Sequence, residues 1–185
     1  YMSHYVHFFF FIILLFSGLF FPGVFYAQDV LPEPPASPQR LFYVQRTGNS
    51  NTIIYDANTI ANGRAFNAKQ PILVYWIRYA DDGRTAPLNY LQRTLAYGVE
   101  VRPVSKPEEY EFNFVSYSKR KLHLGINAAG KPYALIAING KQARLNRVFV
   151  KMGDKKVGLV PDVKYVELFG TDPQTGAAVY EKFVP

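Results

Sequence analysis

From residue 41 onward, short apolar runs alternate with turn-forming residues, and this punctuation constrains the fold more than any other feature of the chain. LFYVQR is followed by GNSN, and TIIYDA by NTIANGRAFNAKQ. Further runs read PILVYWIRY, YEFNFVSYS, KLHLGIN, PYALIAI, ARLNRVFVKM, KYVELF and AVYEKFV. Runs of this length, rich in β-branched and aromatic residues and closed by Gly, Asn, Asp or Pro, are strand signals. Asn139-Gly140 lies between two of them and tolerates the positive φ angles of a two-residue hairpin, so those strands pair. In GTDPQTG, Pro173 suits the second position of a turn and Gly176 a left-handed exit, which gives a second hairpin. The expected fold is mainly β, a β-sandwich or strongly curved antiparallel sheet with one packed α-helix. That helix is expected over residues 87–99, where Leu88, Leu91, Leu95 and Val99 recur at spacings of three and four and Pro87 suits a helix start.

In PILVYWIRY one face carries Leu73, Tyr75, Ile77 and Tyr79, and the other Ile72, Val74, Trp76 and Arg78. Both faces are mainly apolar, so this strand is expected to be central and covered on both sides, with Trp76 in the core and the helix against it. No internal repeat occurs beyond residue 40.

Ahead of this domain the composition changes twice. Residues 1–27 contain no Lys, Arg, Asp or Glu, and FFFFIILLFSGLFF at residues 8–21 has the length of an export signal, with a cut expected after Ala27. An uncleaved membrane anchor is the alternative, and it is the only membrane contact expected. Residues 28–40 hold Pro32, Pro34, Pro35 and Pro38 and read as an extended linker, leaving residues 41–185 as a single β-rich domain. The chain is expected to be exported, to a periplasm or the extracellular space. It has no Cys, so no disulfide supports the fold and no thiol chemistry is available.

The net charge of +7 therefore falls on the part beyond residue 27. Ser118 to Lys121 read SKRK between two strands, and Arg144, Arg147, Lys151, Lys155 and Lys156 crowd a later segment. An electropositive surface is expected. For an exported chain the accessible polyanions are anionic glycans or peptidoglycan rather than nucleic acid, and another envelope protein is a further candidate. The binding residues expected are Phe42, Tyr55, Tyr117, Arg120, Lys121, Arg144 and Arg147. This makes the domain a non-catalytic binding or structural module. A different class of reading is a cell-wall or glycan hydrolase using Asp56, which closes the apolar run TIIYDA, with a second acid such as Glu111 or Glu167, or with His123. His123 is the one His beyond the leader, and in KLHLGI it shares a face with Lys121, away from Leu122, Leu124 and Ile126. No Gly-x-Ser-x-Gly motif, phosphate loop or His/Cys zinc spacing is present, and Asp81-Asp82-Gly83 reads as a turn, so neither a metal nor a cofactor is expected.

NTIIYDAN, PILVYWIRY, LQRTLAYGV, KPYALIAINGK and RVFVKM, in that order, resemble the exported bacterial family known as domain of unknown function 4833. The resemblance spans residues 41–185. It implies a secreted or periplasmic, mostly β domain and supplies no catalytic residues.

Overall fold

The computed structural model describes residues 31–157 and 160–185. The expected export segment lies outside the described residues. The strands are β1 (Arg40–Arg46), β2 (Thr52–Ala57), β3 (Thr59–Ile60), β4 (Ala65–Phe66), β5 (Ile72–Ile77), β6 (Thr85–Pro87), β7 (Val99–Pro103), β8 (Tyr110–Phe114), β9 (Tyr117–Ile126), β10 (Pro132–Ile138), β11 (Lys141–Val157), β12 (Val160–Thr171) and β13 (Ala178–Phe183). They form one strongly curled half-barrel sheet, mostly antiparallel, with β3 and β4 as a separate ribbon. The order across the sheet is β6-β5-β2-β1-β11-β10-β9-β8-β7, with β12 on the other side of β11 and β13 beyond it. The long strand β11 borders β10 with its first residues and β1, in parallel, with its middle. Both expected hairpins form. Asn139 and Gly140 take φ of 49° and 76°, and Gly176 takes 73°, while Asp172 Oδ1 accepts hydrogen bonds from the Gln174 and Thr175 N–H groups at 2.8 and 3.0 Å.

The concave face holds the core. Phe42 and Val44 of β1, Ile53 and Tyr55 of β2, Phe112 of β8, Leu122 and Leu124 of β9, and Ile136 and Ile138 of β10 are buried there. Phe42 stacks on Tyr55 at 4.5 Å, and Phe114 meets both edge-on. The Tyr55 hydroxyl donates to the Tyr97 carbonyl at 2.8 Å, which satisfies the one polar atom the aromatic cluster buries.

Two expectations are corrected here. The strand covered on both faces is β2, not β5. Every residue of β2 is buried, whereas Leu73 on the outer face of β5 is 37% exposed. The cause is non-local: β5 lies next to the short edge strand β6, while the outer face of β1 and β2 is crossed by residues 31–39. Pro34 is buried, the Gln45 amide donates to the Pro32 carbonyl at 2.8 Å, and the Ala57 N–H donates to the Gln39 carbonyl at 2.8 Å. The second correction concerns the helix. Residues 85–87 form β6, and the helical element after it is one π-helical turn, Gln92–Ala96. Leu88 is buried, but Leu91 and Leu95 are each 63% exposed, so the apolar stripe does not face the sheet. Polar and aromatic anchors set this turn instead. Gln92 and Asn89 cap each other reciprocally, Gln92 Oε1 accepts from the Trp76 indole at 3.1 Å, and Tyr97 packs edge-on against Trp76, which is in the core as expected.

Candidate binding face

The convex surface of β1, β11, β12 and β13 brings a group of cations and aromatic rings together. Its basis is the strand alternation of KYVELF and AVYEKF, which puts Tyr165, Glu167 and Phe169 on one face of β12 and Tyr180 and Lys182 on the same face of β13. In β11 a bulge at Asn146 sets Leu145 and Arg147 against consecutive residues of β12, so Arg144 and Arg147, three positions apart, both reach this face. Tyr43, Arg147, Phe169 and Tyr180 then stand directly opposite one another in a row across four strands.

The contacts along that row are specific. The Arg147 guanidinium lies 4.1 Å from the Phe169 ring centroid, and Phe169 and Tyr180 are 5.3 Å apart. The Tyr180 hydroxyl donates to Glu167 Oε1 at 2.7 Å, and that bond raises its pKa above the ordinary tyrosine value. Burial pushes the Tyr43 hydroxyl up as well, against the opposing charge of Arg147 beside it. The Lys182 ammonium sits 3.6 Å over the Tyr165 ring, and Arg144 lies 5.9 Å from the Tyr133 ring. Tyr133 can lie flat there because its neighbour across the strand is Gly125, where a Cβ would come within 2.5 Å of the Tyr133 hydroxyl. Stacking a guanidinium on a ring leaves its N–H edge free for a carboxylate, sulfate or phosphate. Arg144, Arg147, Lys151 and Lys182 form no ion pair among the described residues.

The residues expected from sequence divide into three places. Arg144 and Arg147 belong to this face. Phe42 and Tyr55, expected as surface aromatics, are fully buried in the core; LFYVQR and TIIYDA are apolar on both faces, and which face the core takes is fixed by the rest of the sheet. Arg120 and Lys121 point to opposite sides of β9 and are both neutralised. Lys121 pairs with Glu111 at 2.6 Å, whose carboxyl it holds below the usual range. Arg120 binds both carboxylate oxygens of Glu181 on β13 and stacks on Phe183 at 4.1 Å, with Tyr117 packed nearby against Phe183. Glu181 also accepts from the Asn139 N–H at 2.8 Å, so it ties the β10–β11 hairpin to the last strand.

The Arg120 hydrogen bond depresses the Glu181 pKa, which favours the ionised carboxylate in the folded chain. Its contribution to stability is therefore present above about pH 4.3, the ordinary Glu value, and is lost as pH falls through the lower folded value. Glu181→Gln is expected to cost about 1.5–3 kcal/mol at neutral pH. In urea melts recorded from pH 7 to pH 3, the gap between the two proteins should close on acidification; a gap that stays constant would assign the effect to packing.

Asp56 is 8% exposed and doubly engaged. It accepts from Arg40 Nε at 2.6 Å and from the Tyr75 hydroxyl at 2.7 Å. The acids named with it are not beside it. Glu167 lies three strands away, about 14 Å along the sheet at the usual strand spacing, and Glu111 and His123 lie farther still. Glu111 and His123 do face each other across β8 and β9. Sequence reading missed Tyr43, Tyr165, Phe169, Tyr180 and Lys182; the strand alternation in their runs was the available signal. A family model described as Domain of unknown function (DUF4833) matches residues 42–182. No curated protein and no solved structure matches the chain.

Proposed function

The chain belongs to the DUF4833 family, so its role has to be read from its own surfaces, and we propose that it is an exported, non-catalytic binding module that holds an anionic envelope polymer on the convex face of β11, β12 and β13. The observation that carries this reading is the set of four cations without ion-pair partners among the described residues, two of them presented on aromatic rings: Arg147 on Phe169, in the row that includes Tyr43 and Tyr180, and Lys182 on Tyr165 beside it. Flat rings between cations suit a glycan chain: sugar faces stack on the rings while acidic substituents meet the guanidinium edges. Export is supported by the apolar run at residues 8–21. The non-catalytic part is supported by the wide separation of Asp56 from the other acids and by its engagement with Arg40 and Tyr75.

The test is co-sedimentation of the purified protein with isolated anionic glycan and peptidoglycan at low and high salt, with the supernatant analysed for released fragments. Pelleting that weakens with salt and leaves no fragments is expected. Arg144→Glu with Arg147→Glu should weaken binding roughly tenfold, about 1.4 kcal/mol, while the folded signal is retained. Unchanged binding would remove this face as the site, and fragments that disappear in Asp56→Asn would replace the binding module with a hydrolase.

A further inference from the structure

The curled sheet stops short of closing, and a cleft of about 280 Å³ opens between its two ends, lined by Ile72 and Val74 of β5, Val99 and Val101 of β7, and by Lys69 and Arg93. Part of the backbone on both walls is unpaired among the described residues. In the β7–β8 ladder, the Val115 N–H donates to the Gly98 carbonyl at 3.0 Å and the Val104 N–H to the Glu109 carbonyl at 3.2 Å. Hydrogen-bonded pairs alternate in an antiparallel ladder, so the even-numbered residues of β7 face β8, and the N–H and C=O groups of Val99 and Val101 point the other way, into the cleft. On the opposite wall the Asn58 N–H donates to the Pro71 carbonyl at 2.8 Å. The same alternation turns the polar groups of Ile72 and Val74 away from β2; β6 pairs only with Tyr75, Trp76 and Ile77, and because Pro87 has no N–H its pairing with Tyr75 takes the Val74 carbonyl for the Leu88 N–H, which leaves the Val74 N–H and the Ile72 groups on the cleft side. Apart from that Val74 carbonyl, none of these groups has a backbone partner among the described residues.

We propose that this cleft takes an extended peptide strand of a protein partner, which adds to the β7 or β5 edge and carries an acidic residue for Lys69 and Arg93. Three features select this occupant. Two strand edges with free donors and acceptors are complementary to extended main chain. The inward side chains of Ile72, Val74, Val99 and Val101 give apolar seats for alternate residues of such a strand. Lys69 and Arg93 form no ion pair among the described residues, so an acidic side chain meets cations at the rim. This site is separate from the convex face and does not depend on it.

The experiment is to pan a phage-displayed random peptide library against the purified full chain and synthesise the most enriched peptide. Enriched peptides are expected to alternate β-branched with other residues and to include Asp or Glu. Binding should protect the Val99 and Val101 or the Ile72 and Val74 amides from hydrogen exchange, and Lys69→Glu with Arg93→Glu should weaken it at least tenfold. Val101→Pro removes an N–H that the β8 ladder does not use and should weaken binding at that edge. Should that variant fold poorly, the peptide supplies the control: N-methylation of one alternate set of its amides should abolish binding and of the other set should not. Absence of any enriched peptide, unprotected edge amides, or equal effects of the two methylated sets would overturn the proposal.

Discussion

Phe42→Ala is expected to destabilise the domain by about 3–5 kcal/mol, the usual range for deleting a buried phenylalanine ring. The ring has no exposed surface, stacks on Tyr55 at 4.5 Å and lies 6.3 Å from Phe112, so its removal leaves a cavity between β1, β2 and β8 that a sheet cannot easily collapse. Urea denaturation checks this: the midpoint should fall with little change in slope, while polymer affinity of the folded protein is unchanged. A residue that contacts ligand would show the reverse, lost binding at constant midpoint, and a loss below about 1 kcal/mol would contradict the core assignment. Tyr55→Phe isolates a finer element. It keeps the ring and deletes the hydroxyl that serves the Tyr97 carbonyl, for an expected cost of about 1 kcal/mol.

Asp56→Asn is the second large effect and separates two readings of one residue. Asp56 and Arg40 side chains are only 11% and 15% exposed, and the substitution strands the guanidinium without its counter-charge. Removing one partner of a fully buried pair costs about 3–5 kcal/mol, and the residual contact with water lowers the expectation here to about 2–4 kcal/mol. Replacing both partners, Arg40→Met with Asp56→Leu, should be less damaging than Asp56→Asn alone, because no charge is then left unpaired. Thermal or urea melts of the three proteins give the answer. A catalytic Asp56 would instead lose turnover with its stability nearly intact.

The turn chemistry carried most of the architecture. Asn139-Gly140 and Gly176 adopt the left-handed backbone that their residue types permit, and the strand runs fall where the apolar stretches lie, because both effects are local. Coverage is not local. PILVYWIRY and TIIYDA are equally apolar, and only the placement of residues 31–39 over β2 and of the edge strand β6 beside β5 decides which one is covered on both sides. The leucine spacing of residues 88–99 matches a helix, but the Trp76–Gln92 bond and the Tyr97 contact decide the turn. On the binding face, Arg144 and Arg147 would point to opposite sides of a regular strand. The bulge at Asn146 brings them to one side, and bulges leave no reliable signal in a single sequence.

The position of β1 has a consequence for how the chain is made. Its parallel partner β11 joins Tyr43 to Arg147, roughly a hundred residues downstream, so this pairing is among the most non-local in the fold. During synthesis, β2, β5 and β6 can assemble on β1 early, but the far side of β1 stays an open apolar edge until the last third of the chain emerges. That interval is when the nascent protein is most exposed to pairing with its neighbours. The prolines at positions 32, 34 and 35 lie just ahead of that edge and cannot themselves extend a ladder.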